Sequence, residues 1–200
     1  VLVIGVSIGT GIFVQKSSYA THENKIIDRQ RYARVMDWLN QNAEKEEVVF
    51  ADTEISKVVV IYTPLNVFYH PTVVYLLDGT YDRLLQNQLL FYRLNGLEKE
   101  RAEEQFFKDR VNISANLYGI YYREITGAYE NIPDEIIRDI AQQYRDTFIF
   151  STADFLNNLW SKYEVEYLVW DKKHEPQWNL DQYSFLKKVA EFDDLVIYQR

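Results

Sequence analysis

The first fourteen residues, VLVIGVSIGTGIFV, carry no charge and no strongly polar side chain. An exposed helix or strand does not read this way, so the run has to be buried, in a protein core or in lipid. A membrane-crossing helix needs about 20 apolar residues; these fourteen read as the closing two-thirds of such a span. Gly5 and Gly9 form a GxxxG pair, a spacing that lets transmembrane helices approach closely. Lys16, Tyr19 and Lys25 follow, residue types that suit a membrane interface. The chain opens on Val1 and its one methionine is Met36, so it reads as a processed chain or a piece of something longer. A signal peptide fits less well, because no basic leader is present and QKSSYATH is a weak cleavage site. The expected division is the end of a transmembrane helix with its interface over 1–19 and a soluble α/β domain over 20–200.

Two other readings of the same run stand beside this one. VLVIGV is also a competent buried strand. Gly5, Gly9 and Gly11 have the G-x-x-x-G-x-G spacing of short-chain dehydrogenases, where the turn carries a dinucleotide pyrophosphate to a helix amino end. Tyr183 and Lys187 even mimic that family's Y-x-x-x-K pair. Against an NAD(P)-dependent oxidoreductase stand the poor amphipathicity of IFVQKSSYATHENK and the nearness of Tyr183 to the end of the chain. The middle segment also reads as aromatic helices where parallel strands should be.

Charge and composition exclude several classes. Lys and Arg total 22 against 30 Asp and Glu, a net charge of −8 without an acidic tail. No basic stripe is left to neutralise a phosphate backbone, so nucleic acid is not an expected partner. Cysteine is absent, which removes disulfides, thiolate metal sites and cysteine nucleophiles. G-x-S-x-G and Walker-type loops are also missing.

The remainder predicts an α/β fold, a small mixed sheet flanked by several helices. A helix is expected over 21–42, with Ile27, Val35, Met36 and Leu39 inward and Arg29, Arg31, Arg34 and Asp37 elsewhere. EVVFAD (47–52) is a strand; TEISKVVVIYT (53–63) reads either as helix or as strand, and a short helix running into extended chain is the reading favoured. NVFYH (66–70) is a second strand, ended by Pro71. Helices follow over 80–95 and 97–110, then an irregular tyrosine-rich stretch over 112–127. Pro133 at a first helical position opens a helix to about 147 on Ile136, Ile137, Ile140 and Tyr144. Ser151 and Asp154 form a capping box. VEYLVWD (165–171) is a strong strand; a Pro176 loop and a short helix over 180–188 lead to a last strand, DLVIYQR.

Asp52 and Asp171 close two of these strands. Ligands of open α/β sheets sit beyond the carboxyl ends of parallel strands, where two carboxylates orient a hydroxyl, hold a cation or act as acid and base. The competing reading is that each caps the next turn, a common use of Asp. His70, before Pro71 at a strand end, and His174, in the loop DKKHEPQW, are the other titratable candidates, and Trp170 and Trp178 flank that loop. The histidines lack metal-ligand spacing. Aromatic residues make up 16% of the chain; their faces stack on sugar rings and suit membrane interfaces, and they also fill cores. No catalytic, cofactor-binding or metal-ligating residue is assigned; Asp52, His70, Trp170, Asp171, His174 and Trp178 are candidates for contacting a ligand.

The order of these segments resembles a known family. Trp38-Leu39-Asn40 on a helix precedes Val48 to Asp52; later come Lys162 to Val169 and the closing Val196 to Tyr198. This is similar to the carboxy-terminal soluble domain of bacterial polytopic membrane proteins of the C-type glycosyltransferase kind. The resemblance implies a non-catalytic, extracytoplasmic domain of a parent that transfers sugar from a lipid-phosphate carrier. It implies as partners membrane lipid through residues 1–14, an amino-terminal membrane domain, and a glycan or lipid-linked sugar. No cofactor is implied, and the family's catalytic acid lies in an early membrane loop outside this sequence. Lys16, Lys25, Arg29, Arg31 and Arg34 after the span favour the cytoplasmic side; the resemblance favours the outside, and the outside is the expectation adopted.

Overall fold

A computed structural model describes residues 30–68, 80–119 and 132–200. The run 1–14, the 1–19 division, His70, Tyr121, Tyr122 and Tyr129 lie outside these residues. Among the described residues no helix is long and apolar enough to cross a membrane.

The chain order is helix α1 (Ala33–Asn42), strand β1 (Val48–Ala51), α2 (Thr53–Tyr62) and strand β2 (Asn66–Val67). Four helices follow: α3 (Tyr81–Leu94), α4 (Ala102–Lys108), α5 (Arg110–Tyr118) and α6 (Asp134–Asp146). Helix α7 (Thr152–Lys162) then precedes β3 (Val165–Asp171), β4 (Lys187–Phe192) and β5 (Leu195–Gln199). The sheet runs β2-β1-β3-β5-β4. Strand β1 is parallel to β2 and to β3, with Ala51 opposite Val169, and β5 is antiparallel to both β3 and β4. The expected α/β class and small mixed sheet are therefore present.

Period-two alternation in the strands explains the layers. Val49, Ala51, Tyr167, Val169, Leu195 and Ile197 point to one face, under α1 and α2 through Val35, Met36, Leu39, Ile55, Val58 and Val59. Phe50, Leu168, Trp170, Val196 and Tyr198 point to the other, under Leu90 and Leu94 of α3 and Phe155, Leu156, Leu159 and Trp160 of α7. With both faces covered, the central strands are apolar on both sides. Helix α3 is shared. Its other stripe, Leu84, Leu85 and Leu89, meets Phe106, Ile113, Leu117, Ile137, Ile140 and Tyr144 in a separate helical core.

Several expectations need correction. The favoured reading of 53–63 is not among them: residues 53–62 are helix and Thr63 is extended, because Asp52 caps the start and the apolar positions Ile55, Val58 and Val59 keep helical spacing onto the sheet. Residues 112–118 of the stretch expected to be irregular belong to the helix Arg110–Tyr118, since Ile113 and Leu117, four apart, fill the helical core. The short helix expected over 180–188 is a single 3₁₀ turn, Leu180–Gln182, and Lys187 already begins strand β4, which forms a hairpin with β5. Pro133 sits at the N-cap of α6 rather than in its first turn. Ser151 caps α7 as expected: its Oγ accepts from the Asp154 amide at 3.1 Å, and its hydroxyl donates to Asp154 Oδ2 at 2.6 Å, so one half of the capping box forms.

Candidate functional site

Strand β1 leads through α2 to β2 on one side, while β3 lies on the other. The carboxyl ends of β1 and β3 thus flank the point where the direction of winding changes, the place where α/β folds carry ligands. Asp52 and Asp171 stand at those two ends.

The sheet brings both acids to one end and commits each to a turn. Asp52 Oδ1 accepts from the amides of Glu54 and Ile55, at 2.7 and 3.0 Å, and so caps α2. Asp171 Oδ1 accepts from the amides of Lys173 and His174, at 3.0 and 3.2 Å, and closes the turn after β3. The capping reading of these residues is the observed one. Asp171, with no exposed surface, has further work. Arg31 Nη2 donates to its Oδ1 at 2.8 Å, and the Tyr32 hydroxyl donates to Oδ2 at a long 3.4 Å. His174 Nδ1 lies 3.0 Å from Oδ2. Asp171 therefore ties the residues that lead into α1, 140 positions earlier in the chain, to the end of the central strand.

Asp52 is left less complete. It is 5% exposed, and its buried Oδ2 has no hydrogen-bond partner among the described residues. Burial raises its pKa above the ordinary carboxylate value, the two capping amides oppose that shift, and the charge on Asp171 adds to it. Half-buried Glu175 is raised as well, first by burial and then by the charge on Asp52. The Tyr32 hydroxyl is raised by burial, with the Asp52 and Asp171 charges adding to it. The cluster is short of positive charge even with Arg31 in place. Among the described residues, though, no group of three or more His, Asp or Glu side chains is arranged to hold a metal.

The two tryptophans are structural. Trp170 is 5% exposed and its Nε1 donates to the Glu175 carbonyl at 2.7 Å, closing the 171–175 loop. Trp178 is 1% exposed and stacks on Phe50, with ring centroids 5.3 Å apart. Neither offers a face to a sugar. His174 stays about half exposed beside Asp171. Tyr183 is buried against Phe185, and Lys187 begins a strand, so the two do not face each other from one helix as the Y-x-x-x-K pair would.

Three members of the cluster were not among the sequence candidates: Arg31, Tyr32 and Glu175. Arg31 belonged by periodicity to a solvated helix face, and no local pattern links it to Asp171. Glu175 carried the one available signal, an acid directly after His174, four residues past Asp171 and next to Pro176. Compared with protein-family models, curated proteins and solved structures, the chain matches none.

Proposed function

We propose that this chain is a non-catalytic, extracytoplasmic domain of a polytopic membrane glycosyltransferase that uses a lipid-linked sugar donor. One observation carries the non-catalytic part of the reading. The buried Asp171 carboxylate, at the position where an enzyme of this architecture would hold substrate, is spent on Arg31 and on its own turn. That geometry suits a domain that fixes its leading segment to the sheet rather than one that does chemistry. The uncharged run 1–14 upstream of that segment supports a membrane parent. The glycosyltransferase assignment rests on the resemblance in segment order. The segments that carry it lie in α1 (Trp38-Leu39-Asn40), in β1, from the end of α7 into β3, and in β5.

This chain has no cysteine of its own, so labelling of a cysteine placed in it, compared with the unsubstituted parent, reports on the domain. A single Glu135→Cys, at an exposed position of α6, is introduced into the membrane protein encoded by the complete reading frame. A membrane-impermeant maleimide should label it in intact cells, and membranes should transfer sugar from a lipid-phosphate donor. Labelling only after lysis overturns the orientation. A reading frame with one span, or no transfer from any such donor, overturns the parent activity.

A further inference from the structure

A polar cleft opens between α3, the turn that follows it, α4 and α5, with Thr53, the residue after Asp52, on its wall. It has two lobes, of about 320 and 470 Å³, which share Tyr92, Asn95 and Asp109 as walls. Each volume falls in the range of small-molecule sites. Amides dominate the walls: Gln88, Asn112 and Asn116 in the first lobe and Gln105 in the second, with the aromatic Phe91 and Tyr92 in the first.

The hydrogen bonds behind these walls decide what they present. Asn95 Oδ1 accepts from Gln177 Nε2 at 2.6 Å and from Trp178 Nε1 at 3.1 Å. An indole N–H is donor only, so the amide is held one way round and its Nδ2 hydrogens remain for a ligand. Asp109 Oδ2 accepts from the Tyr92 hydroxyl at 2.9 Å and from Gln105 Nε2 at 2.8 Å. Among the described residues its Oδ1 has no partner. Asn112, exposed on α5, has no hydrogen-bond partner among the described residues. The aromatic wall is equally fixed. Phe91 packs against Phe50 and edge-on to Trp178, and Tyr92 against Phe106 and Tyr144. A wall set before the ligand arrives loses little entropy on binding.

The chemistry narrows the ligand. An anion would need a cationic wall, and the second lobe has only Arg101, opposed by Glu98 and Asp109. An apolar ligand would leave the amides unpaired. A fixed donor beside a fixed acceptor matches adjacent hydroxyl groups, and an aromatic ring in the wall suits the C–H groups of a sugar ring. We infer that this cleft binds a neutral saccharide ring, with Asn95 Nδ2 and Asp109 Oδ1 on neighbouring hydroxyls and Phe91 and Tyr92 against the ring. The inference rests on the glycosyltransferase reading for the biological source of the sugar, while the place and chemistry of the cleft stand on their own.

The test is saturation-transfer NMR on the 200-residue chain with methyl glycosides of neutral hexoses and their monodeoxy analogues. At least one glycoside should bind with a Kd of about 1 mM, and removing one of two adjacent hydroxyls should weaken it about tenfold. Asp109→Asn, which replaces the open acceptor, and Asn112→Ala, at an exposed position, should each weaken it about three- to tenfold while leaving thermal unfolding unchanged within about 2 °C. No signal at about 10 mM of any glycoside overturns the inference. So does binding that both variants leave intact, or stronger binding of inorganic phosphate competing at the same site. Binding is read on this chain alone. Its failure is therefore distinct from failure of the labelling and transfer experiments, which test the parent reading.

Discussion

Removing the charge of Asp171 should loosen the joint between α1 and the sheet. At 2.8 Å the Arg31 pair is worth about 6 kcal/mol of attraction at an effective dielectric near 20. Much of that is offset by taking the Asp171 carboxylate, with no exposed surface, out of water. Arg31 keeps 23% of its side chain exposed, so solvent screens it further. Asp171→Asn keeps the shape and one carbonyl for the Lys173 and His174 amides, and should cost about 2–3 kcal/mol. Arg31→Met keeps the stem and leaves Asp171 with those amides and His174; it should cost about 1–2 kcal/mol. The double variant should be less destabilised than the sum by about 1–1.5 kcal/mol. Urea unfolding of the full chain, followed by tryptophan fluorescence with linear extrapolation, measures all four corners. Amide hydrogen exchange across Ala33–Asn42 should quicken in each variant before it quickens in β3. A coupling below about 0.3 kcal/mol would refute the reasoning, because Arg31 would then behave as an ordinary solvated charge.

Three further outcomes follow from the packing. Burial raises the folded pKa of Asp52 above its ordinary value of 3.8. Its proton therefore stabilises the fold fully below that value, and this contribution is lost as pH rises through the folded pKa. Asp52→Asn keeps a good N-cap and should be more stable than the parent at neutral pH by about 1 kcal/mol, with a flatter slope of stability on pH; a steeper slope refutes this account. Trp160 and Trp178 are both fully buried, but Trp160 Nε1 has no partner while Trp178 Nε1 donates to Asn95. Thermal unfolding should show Trp160→Phe within about 1 kcal/mol of the parent and Trp178→Phe costing about 2 kcal/mol; the reverse order contradicts the assignment of the orphan N–H. Gly96 has φ of +71° and open space where a Cβ would stand. Gly96→Ala should therefore cost about 1 kcal/mol through backbone strain alone, and a cost above about 2 kcal/mol in urea unfolding would point to a contact that is not there.

Local chemistry alone settled much of the fold. Strand β3 was legible because seven residues, VEYLVWD, combine β-branched and aromatic types with little polar interruption. Helix α3 was legible from its leucine spacing and the Asn95-Gly96 stop, and α7 from its capping box. The strand-end positions of Asp52 and Asp171 were legible too, and so was their capping role, since a short carboxylate after a strand finds the next amides by itself.

Tertiary structure decided the rest. TEISKVVVIY has enough β-branched residues to read as a strand; it is helix because its apolar positions have to cover β1 and β3 from one side. KKVAEF has no strand signature beyond one alternation and becomes β4 only because β5 offers an edge to pair with. Trp178 could have been a sugar platform until the sheet placed Phe50 beneath it. Arg31 meets Asp171 because parallel strands bring distant turns to one end of a sheet, and 140 residues of separation leave no local trace of such a pairing. Which acid is neutralised by a cation and which is left with an orphan oxygen is a property of that three-dimensional placement, not of either aspartate's neighbours in the chain.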